Sequence, residues 1–418
     1  MTAKTPPMGW NSWDCYGASV NEETVRRNAE YMSENLKKYG YEYVVVDIQW
    51  SEPQAVNHEY RSLAKLEMDE YGRLLPAPNR FPSAANGKGF KELAEYVHSL
   101  GLKFGIHIMR GIPRQAAFLD TEILGTKITA KQIAKPNSIC PWNSDMYGIN
   151  HEADGAMQYY QSIFDMYAAW GVDFVKVDDI ANHYAKGEIE LIRKAIDNTG
   201  REIVLSISPG PAPIEHAQHL MQNVNMWRIT DDFWDKWELL LDMFQRADNW
   251  SKYAGPGHWP DADMLPVGAI LQDYNADNRT KFTKDEQKTM MTLWCFLRSP
   301  LMIGAELTKN DDFTLELLTN EDILELSKNS FCARQLYRRG DEIVWFAVRK
   351  TGGYFIAVFN TGEAKTKIKV NLLECELTGR YSCRNLWSKE SFETSAYIEA
   401  QVNAHGTEAY VLIEKVEE

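Results

Sequence analysis

Acidic side chains recur where apolar runs end. Tyr43-Val44-Val45-Val46 leads into Asp47, and Phe174-Val175-Lys176-Val177 leads into Asp178-Asp179. Asn225-Met226-Trp227-Arg228-Ile229 is followed by Asp231-Asp232, and His258-Trp259-Pro260 by Asp261 and Asp263. Lys176 and Asp178 are two positions apart, so in an extended strand they share a face. A cation held beside a carboxyl favours its ionised form. Two carboxyl groups in different protonation states are the standard means of cleaving a glycosidic bond. One attacks the anomeric carbon and the other protonates the departing oxygen; where configuration is retained they stand roughly 5–5.5 Å apart. Taken singly, each of these Asp residues serves equally well as the N-cap of a following helix. Several of them converging on one mouth, with a Lys and an Arg among them, favour chemistry over capping.

The elements that must position these groups are strands alternating with helices over about the first 320 residues. Lys103-Phe104-Gly105-Ile106-His107-Ile108 and Ile203-Val204-Leu205-Ser206-Ile207 are further continuous apolar runs, as expected of strands buried on both faces. Segments near 8–13 and 299–303 supply the first and last strands. A helix is expected from about Asn21 to Lys38, with Val25, Ala29, Met32 and Leu36 at helical spacing, a Ser19/Glu22 capping box and Gly40 as its stop. Repeated strand–helix units predict a parallel sheet, and eight of them a (β/α)8 TIM barrel whose reaction site lies at the C-terminal ends of the strands. The irregular stretch 51–90 is then a long loop on that side. After about residue 330 the pattern changes. Residues 343–348 and 354–359 flank Gly352-Gly353 as a hairpin, and Ile368, Val370 and Leu372 alternate with polar residues. The expected organisation is an α/β barrel over 1–328 and a C-terminal antiparallel β-sandwich over 329–418.

Composition narrows the partners. The chain has 418 residues, 44% apolar and 25% charged, with a formal net charge of −14. No basic cluster offers the grip on phosphates that nucleic acid or an anionic membrane surface requires. No run of 18 apolar residues predicts a membrane span, and the N-terminus does not read as a signal peptide. Six scattered cysteines without a CxxC pair suit reduced thiols in the cytoplasm. The 13 Trp and 20 Tyr suit sugar-binding surfaces, a well-filled core, or in part the contact face of a homo-oligomer.

Five segments in order carry a resemblance. Pro7-Met8-Gly9-Trp10-Asn11-Ser12-Trp13, Lys176-Val177-Asp178, Arg228-Ile229-Thr230-Asp231-Asp232, the run from Gly255 to Leu265 and the run from Arg298 to Gly304 resemble glycoside hydrolase family 27. That family holds α-galactosidases, α-N-acetylgalactosaminidases and β-L-arabinopyranosidases. The resemblance implies that Asp178 is the nucleophile and Asp232 the acid/base, with Asp179 and Asp231 as the neighbours most easily mistaken for them. It further implies that Lys176 binds sugar hydroxyls and keeps Asp178 charged, Arg228 reaches the 2-hydroxyl, Trp13 lines the wall, and Asp263 and Met264 lie at its edge. No metal or organic cofactor is implied.

Departures from the family pattern bear on the substrate. Galactosidases end the second strand with two Asp residues that hold the 4- and 6-hydroxyls; here the stretch is Asp47-Ile48-Gln49-Trp50. An Ile accepts no hydrogen bond, so a sugar with a hydroxymethyl at C5 loses a charge-assisted bond worth ~1.5–3 kcal/mol. L-Arabinopyranose shares the ring configuration of galactose and lacks that group. His107 replaces the usual Tyr and can still donate to a hydroxyl. Ser208, in the run Ser206-Ile207-Ser208-Pro209-Gly210-Pro211, leaves room for an N-acetyl group, which keeps an α-N-acetylgalactosaminidase as the alternative. The expected activity is retaining exo-cleavage of terminal β-L-arabinopyranosyl or α-D-galactosyl residues from an oligosaccharide or glycoside. Two other classes are a metal-dependent barrel hydrolase, suggested only by His216 and His219, and an inactive sugar-binding module. The lack of an HExxH motif opposes the first, and the presence of both Asp178 and Asp232 opposes the second.

Overall fold

The computed structural model describes residues 2–415; Met1 and the last three residues of the expected sandwich lie outside them. Eight strands form one parallel sheet: β1 (Met8–Asn11), β2 (Tyr43–Val46), β3 (Lys103–Met109), β4 (Phe174–Asp178), β5 (Val204–Ile207), β6 (Met226–Arg228), β7 (Trp259–Asp261) and β8 (Leu301–Ile303). Each pairs with its neighbour in chain order, and β8 pairs with β1. The ring closes through Leu265, just past β7, whose N–H donates to the Met302 carbonyl at 2.8 Å. This is the expected TIM barrel. Every residue of β1, β2, β5, β6, β7 and β8 is buried, which explains why β2 reads as an unbroken apolar run. Gly9 lets β1 approach β2: a Cβ there would stand 2.2 Å from the Tyr43 carbonyl oxygen.

The helices α1 (Glu22–Asn35), α2 (Lys91–Ser99), α3 (Ala156–Trp170), α4 (Lys186–Asn198), α5 (Ala217–Asn223), α6 (Trp237–Trp250), α7 (Lys284–Leu297), α8 (Asp312–Thr319) and α9 (Glu321–Asn329) cover the sheet. The cap of α1 corrects the sequence reading. Asn21, not Ser19, caps it, receiving the Thr24 N–H at 3.0 Å while Thr24 Oγ1 receives the Asn21 N–H at 3.1 Å. Ser19 instead receives the Asn57 N–H at 2.6 Å, and Glu22 receives the Ser83 N–H at 2.9 Å, so both tie the long loop down. Gly40 turns the chain at φ 105° after a short 3-10 turn.

Two segments enlarge the C-terminal rim. Residues 47–90 form the long loop after β2. Between β3 and α3 the chain makes a small three-stranded sheet (Ile112–Pro113, Ala134–Ile139 and Met146–Ile149) that periodicity does not announce. Past α9 the chain is antiparallel. A six-stranded sheet contains β9 (Ser330–Arg339), β10 (Glu342–Arg349), β11 (Tyr354–Asn360), β13 (Tyr381–Asn385), β14 (Ser391–Thr394) and β16 (Thr407–Glu414); β12 (Thr366–Asn371) pairs with β15 (Tyr397–Val402) in a second sheet. Alternation in β10 and β11 serves both faces. Ile343, Trp345, Ala347, Phe355, Ala357 and Phe359 join the barrel's core, whereas Val344, Phe346, Ile356 and Val358 join a separate core with Ile368, Val370 and Ile398. All six cysteines are free. Among the described residues no helix is long and apolar enough to cross a membrane.

Candidate active site

A cavity of about 330 Å³ opens at the C-terminal end of the barrel. Six residues singled out from the sequence line it: Trp13 after β1, Asp47 and Ile48 after β2, Lys176 and Asp178 on β4, and Asp232 after β6. Three strand-end carboxyl groups, those of Asp47, Asp178 and Asp231, are fixed by a shared device. Asp47 Oδ1 accepts the Ile48 N–H, Asp178 Oδ1 the Asp179 N–H and Asp231 Oδ1 the Asp232 N–H, each at 2.9 Å. The capping habit of Asp and its presence in the site are therefore not alternatives.

Charge is concentrated on the floor. Lys176 Nζ lies 3.2 Å from Asp47 Oδ2, which also accepts from Asn11 Nδ2 at 2.8 Å. His107 Nε2 donates to Asp178 Oδ2 at 2.9 Å. Burial alone would push the Asp178 carboxyl up. The His107 hydrogen bond and charge, then Lys176 and the Asp179 N–H, outweigh it and bring the group down to about 2. Asp47 is likewise lowered: burial opposes ionisation, and His107, Lys176, Asn11 and the Ile48 N–H overcome it. Burial disfavours the Lys176 ammonium, but Asp47 and Asp178 hold its pKa above the ordinary value. Asp232 differs. Its side chain is 58% exposed and its partner is Arg228, 3.0 Å away. One carboxylate is thus sunk in fixed counter-charge and another faces solvent across the same cavity.

Four further residues expected in the site are buried and are not among those that line the cavity. Arg228 is buried, with one nitrogen on Asp232 and another 2.7 Å from Asp263 Oδ1, so it bridges these two carboxyls. Asp263 is buried too; burial raises its pKa against the pull of Arg228, and its Oδ2 accepts the Phe233 N–H at 2.8 Å, fixing the loop that carries Asp232. His107 lies under Asp178. Ser208 is buried, and its neighbour Pro209 reaches the cavity in its place. Strand alternation tells which way a side chain points but not how far it stands from the opening. Met264 is buried among Trp13, Trp259 and Met302. His216 stacks on Tyr184 with centroids 3.9 Å apart, and His219 hydrogen-bonds Tyr184 and Glu190. Among the described residues no His, Cys, Asp and Glu cluster is arranged to hold a metal ion.

The rest of the wall comes from loops. Tyr60 stacks on Trp13 with an interplanar angle of 7°, His58 meets Trp13 edge-on, and Trp142 and Trp234 complete an aromatic rim. Nothing local in the sequence separates these rings from core aromatics. The available signal was their placement in irregular segments following strand ends.

A TIM barrel whose C-terminal cavity gathers several carboxyl groups and aromatic walls has the makings of a glycoside hydrolase. Comparison with known proteins agrees. Residues 5–151 and 144–329 match the alpha galactosidase A family, and residues 339–412 match the alpha galactosidase C-terminal beta sandwich domain. The chain belongs to this family, glycoside hydrolase family 27. Alpha-galactosidase 3 of Arabidopsis thaliana is 30% identical over 423 residues, covering 98% of this chain and 82% of the relative. A family 27 β-L-arabinopyranosidase from Geobacillus stearothermophilus, solved with arabinose, is 55% identical with a TM-score of 0.97 over 99% of this chain and 98% of that one. A Bacillus halodurans structure bearing a provisional α-N-acetylgalactosaminidase name is 51% identical with a TM-score of 0.90, over 100% and 99% of the two chains.

Proposed function

We propose that this enzyme is a retaining exo-glycosidase that removes terminal β-L-arabinopyranosyl residues and, more slowly, α-D-galactosyl residues. Asp178 attacks the anomeric carbon while Asp232 gives its proton to the departing oxygen, which leaves as an alcohol. A water then attacks the same carbon, passes its proton to the ionised Asp232, and releases Asp178 as a carboxylate. Two inversions retain the configuration. The depressed pKa of Asp178 supports its part as the attacking group, and the exposed position of Asp232 supports proton exchange with solvent between turnovers. Lys176 and Asp47 hold ring hydroxyls, and Trp13 covers the apolar face of the ring. The free cysteines support a reducing, cytoplasmic setting, where the substrate is a short oligosaccharide.

The observation that carries the sugar preference is Ile48. It lines the cavity next to Asp47 and packs with Met109, Cys140 and Met146, so that corner offers carbon rather than oxygen to a C5 substituent. The 55% identity to an enzyme named a β-L-arabinopyranosidase supports the same choice. The test is hydrolysis of nitrophenyl β-L-arabinopyranoside, α-D-galactoside and N-acetyl-α-D-galactosaminide side by side. The pentoside should give the highest kcat/KM; a preference for the acetylated substrate would defeat this reading. Product anomers followed by NMR should show retention, and Asp178→Asn should lose activity by roughly 10⁴-fold or more.

A further inference from the structure

Trp142 belongs to two concavities at once. It lines the cavity that holds Asp178 and Asp232, and also an adjoining groove of about 510 Å³ flanked by Asn137, Ser138, Asn182 and His183. Trp142 as a residue is 37% exposed. Trp13 and Tyr60 stack with centroids 5.9 Å apart, and Tyr60 meets Trp142 at 5.4 Å, so three rings run from the cavity to the groove. Polar contacts tie down the chain just past Trp142. Asn143 Oδ1 accepts the Asp145 N–H at 2.8 Å, and Asp145 Oδ2 accepts from Gln49 Nε2 at 2.6 Å, next to Ile48. A part-exposed indole packed on Tyr60 is a platform for the apolar face of another ring, and the amides and hydroxyl beside it match hydroxyl groups.

Charge narrows the ligand. Arg110 is the sole Lys or Arg among the residues lining the groove, and Asp179 and Glu188 engage it at 2.9 and 3.0 Å. Burial and the nearby Arg110 lower the His183 pKa to about 4, so its ring is neutral at pH 7. Nothing in this set offers a free cation to a phosphate or carboxylate.

We infer that Trp142 and the groove beside it form the subsite for the first residue of the leaving group, and that this residue is a neutral sugar. The inference rests on Asp178 and Asp232 being the catalytic pair. Its test keeps one glycone and varies what departs: a glycosyl fluoride, whose single atom reaches no subsite, a nitrophenyl glycoside, and a disaccharide. Trp142→Ala should lower kcat/KM for the disaccharide about ten-fold more than for the fluoride, and Trp142→Phe should recover most of that difference. Equal loss on fluoride and disaccharide, or loss on neither, would overturn the subsite. A selective loss confined to the nitrophenyl glycoside would overturn the assignment to a sugar. A parent enzyme inert on all three overturns the catalytic reading and the subsite with it.

Discussion

His107 Nε2 lies 2.9 Å from Asp178 Oδ2, and both side chains belong to adjacent strands of the barrel, His107 pairing in register with Lys176. This donor is the largest influence opposing the effect of burial on Asp178. Replacing it with Phe leaves burial less opposed, so the carboxyl binds its proton more tightly. The ionised form is then lost at a higher pH as the solution is acidified. His107→Phe should therefore move the acid limb of the pH profile of kcat/KM upward by about one pH unit or more. It should also lower kcat/KM near neutrality roughly ten-fold, the value of a hydrogen bond to a charged group. An unmoved acid limb would mean that His107 only fills space.

Ile48→Asp should shift preference toward galactosides. The new carboxylate would stand beside Asp47, near enough for a C5 hydroxymethyl to donate to it, and a charge-assisted bond is worth ~1.5–3 kcal/mol, or roughly 10- to 100-fold. The ratio of kcat/KM for α-D-galactoside over β-L-arabinopyranoside should rise by about that factor. The pentoside rate should fall, because a second acid would crowd the corner now packed with Met109 and Met146. An unchanged ratio would remove Ile48 as the selector.

What the sequence could reveal follows from where each signal lives. Val44 to Val46 are buried on both faces, and an unbroken β-branched run reports that directly. Lys176 and Asp178 were legible as a pair because a strand's two-residue period puts them on one side. Depth was not legible. Arg228 and Asp263 are as polar as Asp232, yet they stand behind it, since a barrel interior supports buried charge only where partners converge from several strands. Tyr60, Trp142 and Trp234 were missed because their neighbours in space come from three different loops. The cap of α1 was misjudged by two residues because Ser19 and Asn21 are both good caps, and only the long loop, which occupies Ser19, decides between them.

Arg80 ties that loop to the barrel. Its guanidinium is buried and donates to the carbonyls of Gln49 at 2.7 Å, Glu52 at 2.9 Å and Val20 at 2.6 Å, and to that of Ala18. Burial drives its pKa down to about 10, still charged at neutrality. Arg80→Met keeps much of the apolar stem and removes four hydrogen bonds; the Gln49 and Glu52 carbonyls keep the backbone N–H groups of Glu52 and Ala55, while those of Ala18 and Val20 lose their donor, a loss of about 3 kcal/mol. The thermal midpoint should fall by several degrees. KM should also rise, because Ile48, His58 and Tyr60 are carried on the segment that Arg80 anchors. A variant with unaltered midpoint and KM would show that the loop is held by other contacts.

Asp145 makes stability depend on pH in a direction opposite to that of Asp178. Burial raises its carboxyl from 3.8 to about 6, with Asn143 opposing. A folded pKa above the unfolded one means that the native state holds the proton more tightly. That contribution is complete below pH 3.8 and is lost as pH rises through about 6. At pH 8 the buried carboxylate is ionised, at a cost of up to about 3 kcal/mol relative to the protonated form. Asp145→Asn keeps an oxygen to accept from Gln49 and removes the charge. The variant should therefore be more stable than the parent at pH 8, with the advantage shrinking toward zero at pH 4.5. Denaturant midpoints measured at the two pH values check the sign; an advantage that grows on acidification would show that the Gln49 contact favours the ionised acid.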